Sequence, residues 1–211
     1  VSNISIYNSP FEDKCLLISS GRDQVVSLWD LDSFKLIKQL PVFEVAEDAM
    51  AIPVPLSADG KFKDFAGKFV VAVVGDKGTM RVFNPANGRL VLECASKHAL
   101  KGAMRKLVAL KDAESGKVQW PVKFATIGQD LRVLHWDHFK PVNHIMGHND
   151  EVLHLQYVPC APSDDAASSS DSKRSVVMIS NDETPQVIDI DSLRSNTFVG
   201  HEQTVLTCDV S

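Results

Sequence analysis

The side chains best suited to chemistry in this chain come in sets that recur. Ser19, Arg22 and Asp23 lie close together, Thr126 and Asp130 repeat the spacing of the hydroxyl and the acid, and His148 and Asp182 add an imidazole and a further carboxylate. A serine, a histidine and an aspartate are the parts of a nucleophilic triad, in which the imidazole takes the hydroxyl proton and the acid orients the ring. The strained strand-to-helix turn that presents such a nucleophile, Gly-x-Ser-x-Gly, is missing from the sequence, so a hydrolase stands only as a remote alternative. His135, His138 and His144 invite a metal reading. Residues three apart on and just after a strand do not share a face, and no cysteine or carboxylate joins them at ligand spacing, so no metal site is expected. Gly75-Asp76-Lys77-Gly78-Thr79 lacks the full spacing of a phosphate loop and no helix follows, so it reads as a tight turn.

Charge narrows the field further. The net charge is −5, which argues against a generally basic nucleic-acid binder. One run departs from this balance: Lys97, Lys101, Arg105, Lys106 and Lys111 fall within fifteen residues that hold no acid. The run reads first as a solvated loop and strand edge and second as a patch for RNA phosphates or a partner protein. No aromatic side chain is interleaved with it, so base stacking is unsupported there. Ser168-Ser169-Ser170-Asp171 could accept phosphate, although serine-rich stretches usually serve only as linkers.

The four cysteines, 15, 94, 160 and 208, form no Cys-x-x-Cys, and three of them sit in apolar runs. Reduced cysteine behaves there as a small hydrophobe, which suits a reducing compartment. No apolar run approaches the length of a membrane helix, so no membrane partner is expected. The chain opens without a methionine, which suggests a cut end. At 44% hydrophobic residues the sequence can build a core.

The elements that must position these residues follow from a repeat. Cys15 to Ser19 is a short apolar run, Ser20-Gly21-Arg22-Asp23 a polar turn, and Val25 to Trp29 a second alternation closed by Asp30. Two strands joined by a tight turn are expected. Anchored on Trp29, the pattern returns at Phe83, Trp136 and Ile188, at intervals of 54, 53 and 52 residues. An acid stands six residues before three of these anchors, as Asp23, Asp130 and Asp182; Lys77 has that place in the second copy. Val152 to Tyr157 also matches Val205 to Val210, and each follows a Gly-His pair, Gly147-His148 and Gly200-His201.

Each copy accommodates four short strands. The expected blades cover about 1–40, 49–94, 103–146 and 152–199, with 201–211 opening the next. The long period places insertions at Leu56 to Lys68, Asp112 to Trp120 and 161–175. The last of these is low in complexity and is expected to be disordered.

Four strands per copy, Gly-His before the first and Trp-Asp at the third resemble the WD-repeat proteins. The resemblance implies an all-β fold, a WD40-type β-propeller arc of four four-stranded blades plus the first strand of a fifth, as a segment of a larger propeller. An open arc would leave apolar faces bare at its ends. The resemblance also implies a polar network in each blade, from a His before the first strand to an Asp in the turn between the second and third strands, a Ser/Thr and the Trp. That assigns Ser19, Asp23 and Trp29 to the first blade, Thr126, Asp130 and Trp136 to the third, His148 and Asp182 to the fourth, and His201 to the next. In the third blade His98 is a weak candidate for the His; in the fourth, Met178 and Ile188 replace the hydroxyl and the Trp. The second blade offers essentially no such set. These residues are then internal struts rather than catalysts.

A finer resemblance rests on Pro41-Val42-Phe43-Glu44, on Ser20-Gly21-Arg22-Asp23, on Gly75-Asp76-Lys77-Gly78-Thr79-Met80-Arg81-Val82, on Glu151-Val152-Leu153 and on Gly200-His201. These stretches are similar to the U3 small nucleolar RNA-associated WD-repeat proteins. That resemblance implies a non-enzymatic scaffold of the small-subunit processome in the nucleolus, acting in pre-rRNA processing with no cofactor and no small-molecule substrate. Its partners would be other WD-repeat proteins of the pre-ribosomal complex, with pre-rRNA or U3 RNA contacted directly or through them. Arg22, Lys77 and Arg132, at blade ends, are candidate rim contacts. The rival among binding modules is a WD40 substrate receptor of a ubiquitin ligase, which would need basic or aromatic residues around the central channel.

Overall fold

The computed structural model describes residues 1–94, 102–111, 118–128, 133–137, 139–145, 151–158, 175–181, 183–190 and 192–210, with the backbone alone at 133–137 and 143–145. The described residues form four sheets of four strands, each in chain order. The first holds β1 (Asn3–Asn8), β2 (Cys15–Ser20), β3 (Val25–Asp30) and β4 (Lys35–Pro41). The second holds β5 (Ala46–Val54), β6 (Lys68–Gly75), β7 (Met80–Phe83) and β8 (Leu90–Cys94). β9 (Met104–Lys111), β10 (Val118–Gly128), β11 (Val133–Asp137) and β12 (Lys140–Ile145) make the third. The fourth is β13 (Val152–Val158), β14 (Ser175–Ser180), β15 (Gln186–Asp189) and β16 (Ser195–Thr197). These are WD-type blades, as the four-strand period predicts.

Burial explains the sequence of each strand. The second strands are covered on both faces, so β6 and β14 read as near-continuous apolar runs, Phe-Val-Val-Ala-Val-Val and Val-Val-Met-Ile. The fourth strands are edges and carry polar or exposed residues, as in β4 and β16. Where the third strand meets the fourth, the register shifts just before the repeat's anchor residue, between Leu28/Trp29, Val82/Phe83 and His135/Trp136. The bulge falls at the same place in three blades, and such an extra residue bends the strand backbone and raises the local twist.

The chain divides into two compact units, Val1–Leu107 and Val108–Ser211. In the first, Ile18, Val26, Leu28 and Leu40 pack against Ala49, Val71, Val73 and Phe83 of the second sheet. In the other, Ala125 and Ile127 pack with Leu155, Val176, Met178 and Ile188 of the fourth. The anchors Phe83 and Ile188 are thus core residues, only 4% and 6% exposed. A position that packs on a neighbouring sheet needs bulk and no ring nitrogen, which is why Trp gives way to Phe and Ile there. The corresponding face of the first sheet carries Ile4 and Ile6, exposed by 56% and 65%.

The insertion expected at Leu56 to Lys68 as loop contains a short 3-10 helix, Gly60–Phe65, held down by the buried Phe62. β10 begins at Val118, so the strand reaches back into the second expected insertion. The third insertion lies outside the described residues apart from Ser175, which opens β14. Residues 198–210 are in no strand, and the alternation at 205–210 has no partner strand among the described residues. No helix of the described residues is long and apolar enough to cross a membrane.

Candidate functional site: polar pins within and between blades

In the first blade the Trp29 indole Nε1 donates to Ser19 Oγ at 3.0 Å. The two lie diagonally across the β2–β3 pair, where Leu17 faces Trp29 and Ser19 faces Ser27. The third blade repeats this backbone register: Phe124 faces Trp136, and Thr126 faces Leu134. Thr126 is fully buried, so its hydroxyl sits where a partner is required. Asp23 is not drawn into this arrangement; its side chain is exposed, and no hydrogen bond to it is found among the described residues. In the second and fourth blades the Ser19 position is taken by Val73 and Met178, both in the core.

The second blade, expected to lack a polar network, has one built from other residues. Glu44 is 2% exposed just ahead of β5. Its Oε2 accepts the Lys77 backbone N–H at 3.2 Å, and its Oε1 lies 2.8 Å from Arg81 Nη1 in an ion pair. Arg81 also donates to the Val42 carbonyl at 3.3 Å and, from Nε and Nη2, to Glu93 Oε1 at 3.2 and 3.1 Å. One guanidinium so ties the passage between the first two blades to the last strand of the second. Burial pushes the Glu44 carboxyl upward and outweighs the downward pull of Arg81 and the Lys77 N–H. Gly75 makes the approach possible, because a Cβ there would overlap the Val45 carbonyl oxygen. The clue in the sequence was an acid in Pro41-Val42-Phe43-Glu44; its partner Arg81 carried no signal beyond its place in β7.

A second pin joins three first strands. Asp48, on β5, is 2% exposed. Its Oδ1 accepts from Asn3 Nδ2 of β1 and from the Ala49 N–H at 2.8 Å. Its Oδ2 accepts the Leu107 N–H of β9 at 2.9 Å and lies 3.4 Å from Lys106 Nζ. Lys106 Nζ closes the set by donating to Asn3 Oδ1 at 3.3 Å. Burial raises the Asp48 pKa, while Lys106, the Leu107 N–H, Asn3 and the Ala49 N–H pull it down. Asn3, Asp48 and His154 share one register position, opposite Ser20, Val74 and Ile179. Each of these partners lies three residues beyond the one that faces the repeat's anchor. Asp48 and Lys106 are likewise both third in their strands. Asn3, Asp48, Lys106 and His154 each put a polar residue into the apolar pattern of a first strand, which is the signal the sequence carries for this pin. Asn3 belongs to an Asn-x-Ser sequon, and its amide is committed to Asp48.

These pins redistribute the candidate contact residues. Lys106 is an internal strut, which removes it from the basic run as a ready phosphate ligand. Lys77 donates Nζ to the Phe43 carbonyl at 3.0 Å. Arg22 and Lys111 are exposed, and Arg105 is half-buried. His201 is exposed. Lys97, Lys101, Asp130, Arg132, His148 and Asp182 lie outside the described residues, as does the side chain of Trp136.

Among the described residues no three His, Cys, Asp or Glu side chains converge as a metal site would need. The Cys208 thiol stands 3.6 Å from His154 Nδ1, but burial and then Asp209 raise its pKa, the reverse of an activated nucleophile.

No family model matches the chain. Curated proteins do resemble it. Transducin beta-like protein 3 of Homo sapiens is 29% identical over 195 residues, covering 92% of this chain and 22% of that protein. Its counterpart from Bos taurus is 28% identical over 194 residues, with the same coverage. The Mus musculus protein is 26% identical over 194 residues. The chain therefore spans 22% of the length of the relatives it matches.

Proposed function

We propose that this chain is part of a non-enzymatic scaffold in a pre-ribosomal complex, the small-subunit processome around the U3 particle. There it would serve pre-rRNA processing and small-subunit biogenesis in the nucleolus. The observation that carries this reading is the similarity to transducin beta-like protein 3 over 92% of the chain. The mechanism is rigid display. Packed sheet faces and the Glu44 and Asp48 pins fix the blades of the first unit, leaving turns and inter-strand loops to meet partners. Ser19, which could have belonged to a reactive centre, serves instead as the acceptor for the Trp29 indole. The partners are other WD-repeat proteins, with RNA held directly or through them.

The test is affinity purification of the full-length protein from nuclear extract. Recovery of U3 RNA together with other WD-repeat proteins is expected. Recovery of a ubiquitin-ligase core without U3 RNA would overturn the proposal.

A further inference from the structure

A groove of about 380 Å³ opens between the first and second sheets, within the first unit. Leu16 and Leu28 form its floor, and Phe69 continues the apolar surface. The blade-two insertion builds one wall: Phe62 anchors the 3-10 helix, and Phe65 and Gly67 turn toward the groove. Gly67 has a φ of +72°, and a Cβ there would meet Leu56 Cδ2 at 3.0 Å, so the wall turns at a residue that has to be glycine.

The rim is charged. Lys14, Lys38 and Lys68 line the groove, against one acid, Glu12. Lys14 is held by Glu12 at 2.7 Å, whereas Lys38 and Lys68 have no carboxylate partner among the described residues. A cationic rim on a chain of net charge −5 is a local inversion of sign.

Ile37 and Lys38 are neighbours on β4 at the bulge, where Leu28 faces Lys38 and Trp29 faces Leu36, and both line the groove. The groove therefore borders β4, the edge strand of its sheet, whose outer backbone groups pair with no other strand among the described residues. We infer that this groove docks an extended acidic peptide of a partner protein, with a bulky apolar side chain seated between the sheets and carboxylates on Lys38 and Lys68. An edge strand supplies the hydrogen bonds such a peptide needs, by strand addition. A nucleobase fits the interior less well, because its polar edges would face Leu16, Leu28 and Phe69. This inference is independent of the ribosome-biogenesis reading, since peptide binding and U3 recovery can each fail alone.

The experiment pans a random twelve-residue phage-displayed peptide library against the intact protein. Enriched peptides are then made with a fluorescent label and titrated by anisotropy. Enrichment of acidic sequences with one or two large apolar residues is expected. Lys38→Glu with Lys68→Glu should weaken them about tenfold or more, and raised salt should weaken them too. Phe65→Ala should weaken binding through lost apolar contact, and Arg194→Glu, at an exposed residue that does not line the groove, should leave it within about twofold. Enrichment of neutral or basic peptides, or of none, would overturn the inference. So would affinity indifferent to the Lys38/Lys68 pair, or a groove titrated by a single-stranded RNA dodecamer in preference to the peptides.

Discussion

Replacing Asp48 with asparagine tests whether the pin between first strands holds the first unit together. The site is made for an acceptor on both oxygens. Asn3 Nδ2 and the Ala49 N–H address Oδ1, while the Leu107 N–H and Lys106 Nζ address Oδ2. Asparagine keeps one oxygen and turns an NH2 toward the other two donors, so two interactions are lost. A buried donor left without its acceptor costs about 1–3 kcal/mol, and two such losses, one of them at the partly exposed Lys106, come to about 2–4 kcal/mol. For a chain of this length each kcal/mol moves the melting temperature by about 2–4 °C, so a drop of at least about 4 °C is expected.

Thermal and urea unfolding followed by circular dichroism provide the measurement. Lys106→Met should cost less than Asp48→Asn, because Asp48 would keep its N–H donors and the lysine is partly exposed. The pH dependence has a definite sign. Burial raises the folded pKa of Asp48, so the folded chain holds that proton more tightly than the unfolded one. The group's stabilising contribution then falls as pH rises from the unfolded value through the folded one. The gap between wild type and Asp48→Asn should accordingly narrow as pH rises. A melting temperature for Asp48→Asn within about 1 °C of wild type, or a larger loss for Lys106→Met, would refute the pin.

Three further outcomes are expected. Burial raises the Glu44 carboxyl as well, so in urea titrations the stability advantage of wild type over Glu44→Gln should be greatest in mild acid and shrink toward neutrality. Gly75→Ala should cost roughly 2–4 kcal/mol, since its Cβ would strike the Val45 carbonyl that accepts the Asp76 N–H at 3.2 Å. Gly200→Ala, with nothing within 4 Å, should stay within about 0.5 kcal/mol by the same denaturation assay. Burial pushes the Cys94 thiol up to about 11, leaving about one thiolate in a thousand at pH 8. Mass spectrometry after iodoacetamide treatment should find Cys94 slower to react than the half-buried Cys15.

The period of about 53 residues and the Trp-Asp endings of the sequence determined the four-strand blades. A strand pattern of period two is a local property, and four copies of it add up even when single copies are weak. The pairing of Trp29 with Ser19 was equally local, because both belong to one hairpin. The pins were different. Asp48 reaches residues 45 positions earlier and 59 later, and Glu44 reaches Lys77 across 33. Nothing in a linear pattern says which charged residue near a strand turns inward. The sequence therefore marked the second blade as having no network and Lys106 as a surface cation, and both readings changed once the strands were stacked. Burial inverts the value of a charge: in solvent Asp48 and Lys106 are ordinary surface residues, but between sheets each needs the other. Sequence alone settled what the blades are made of, and tertiary packing decided which polar residues bind them to one another.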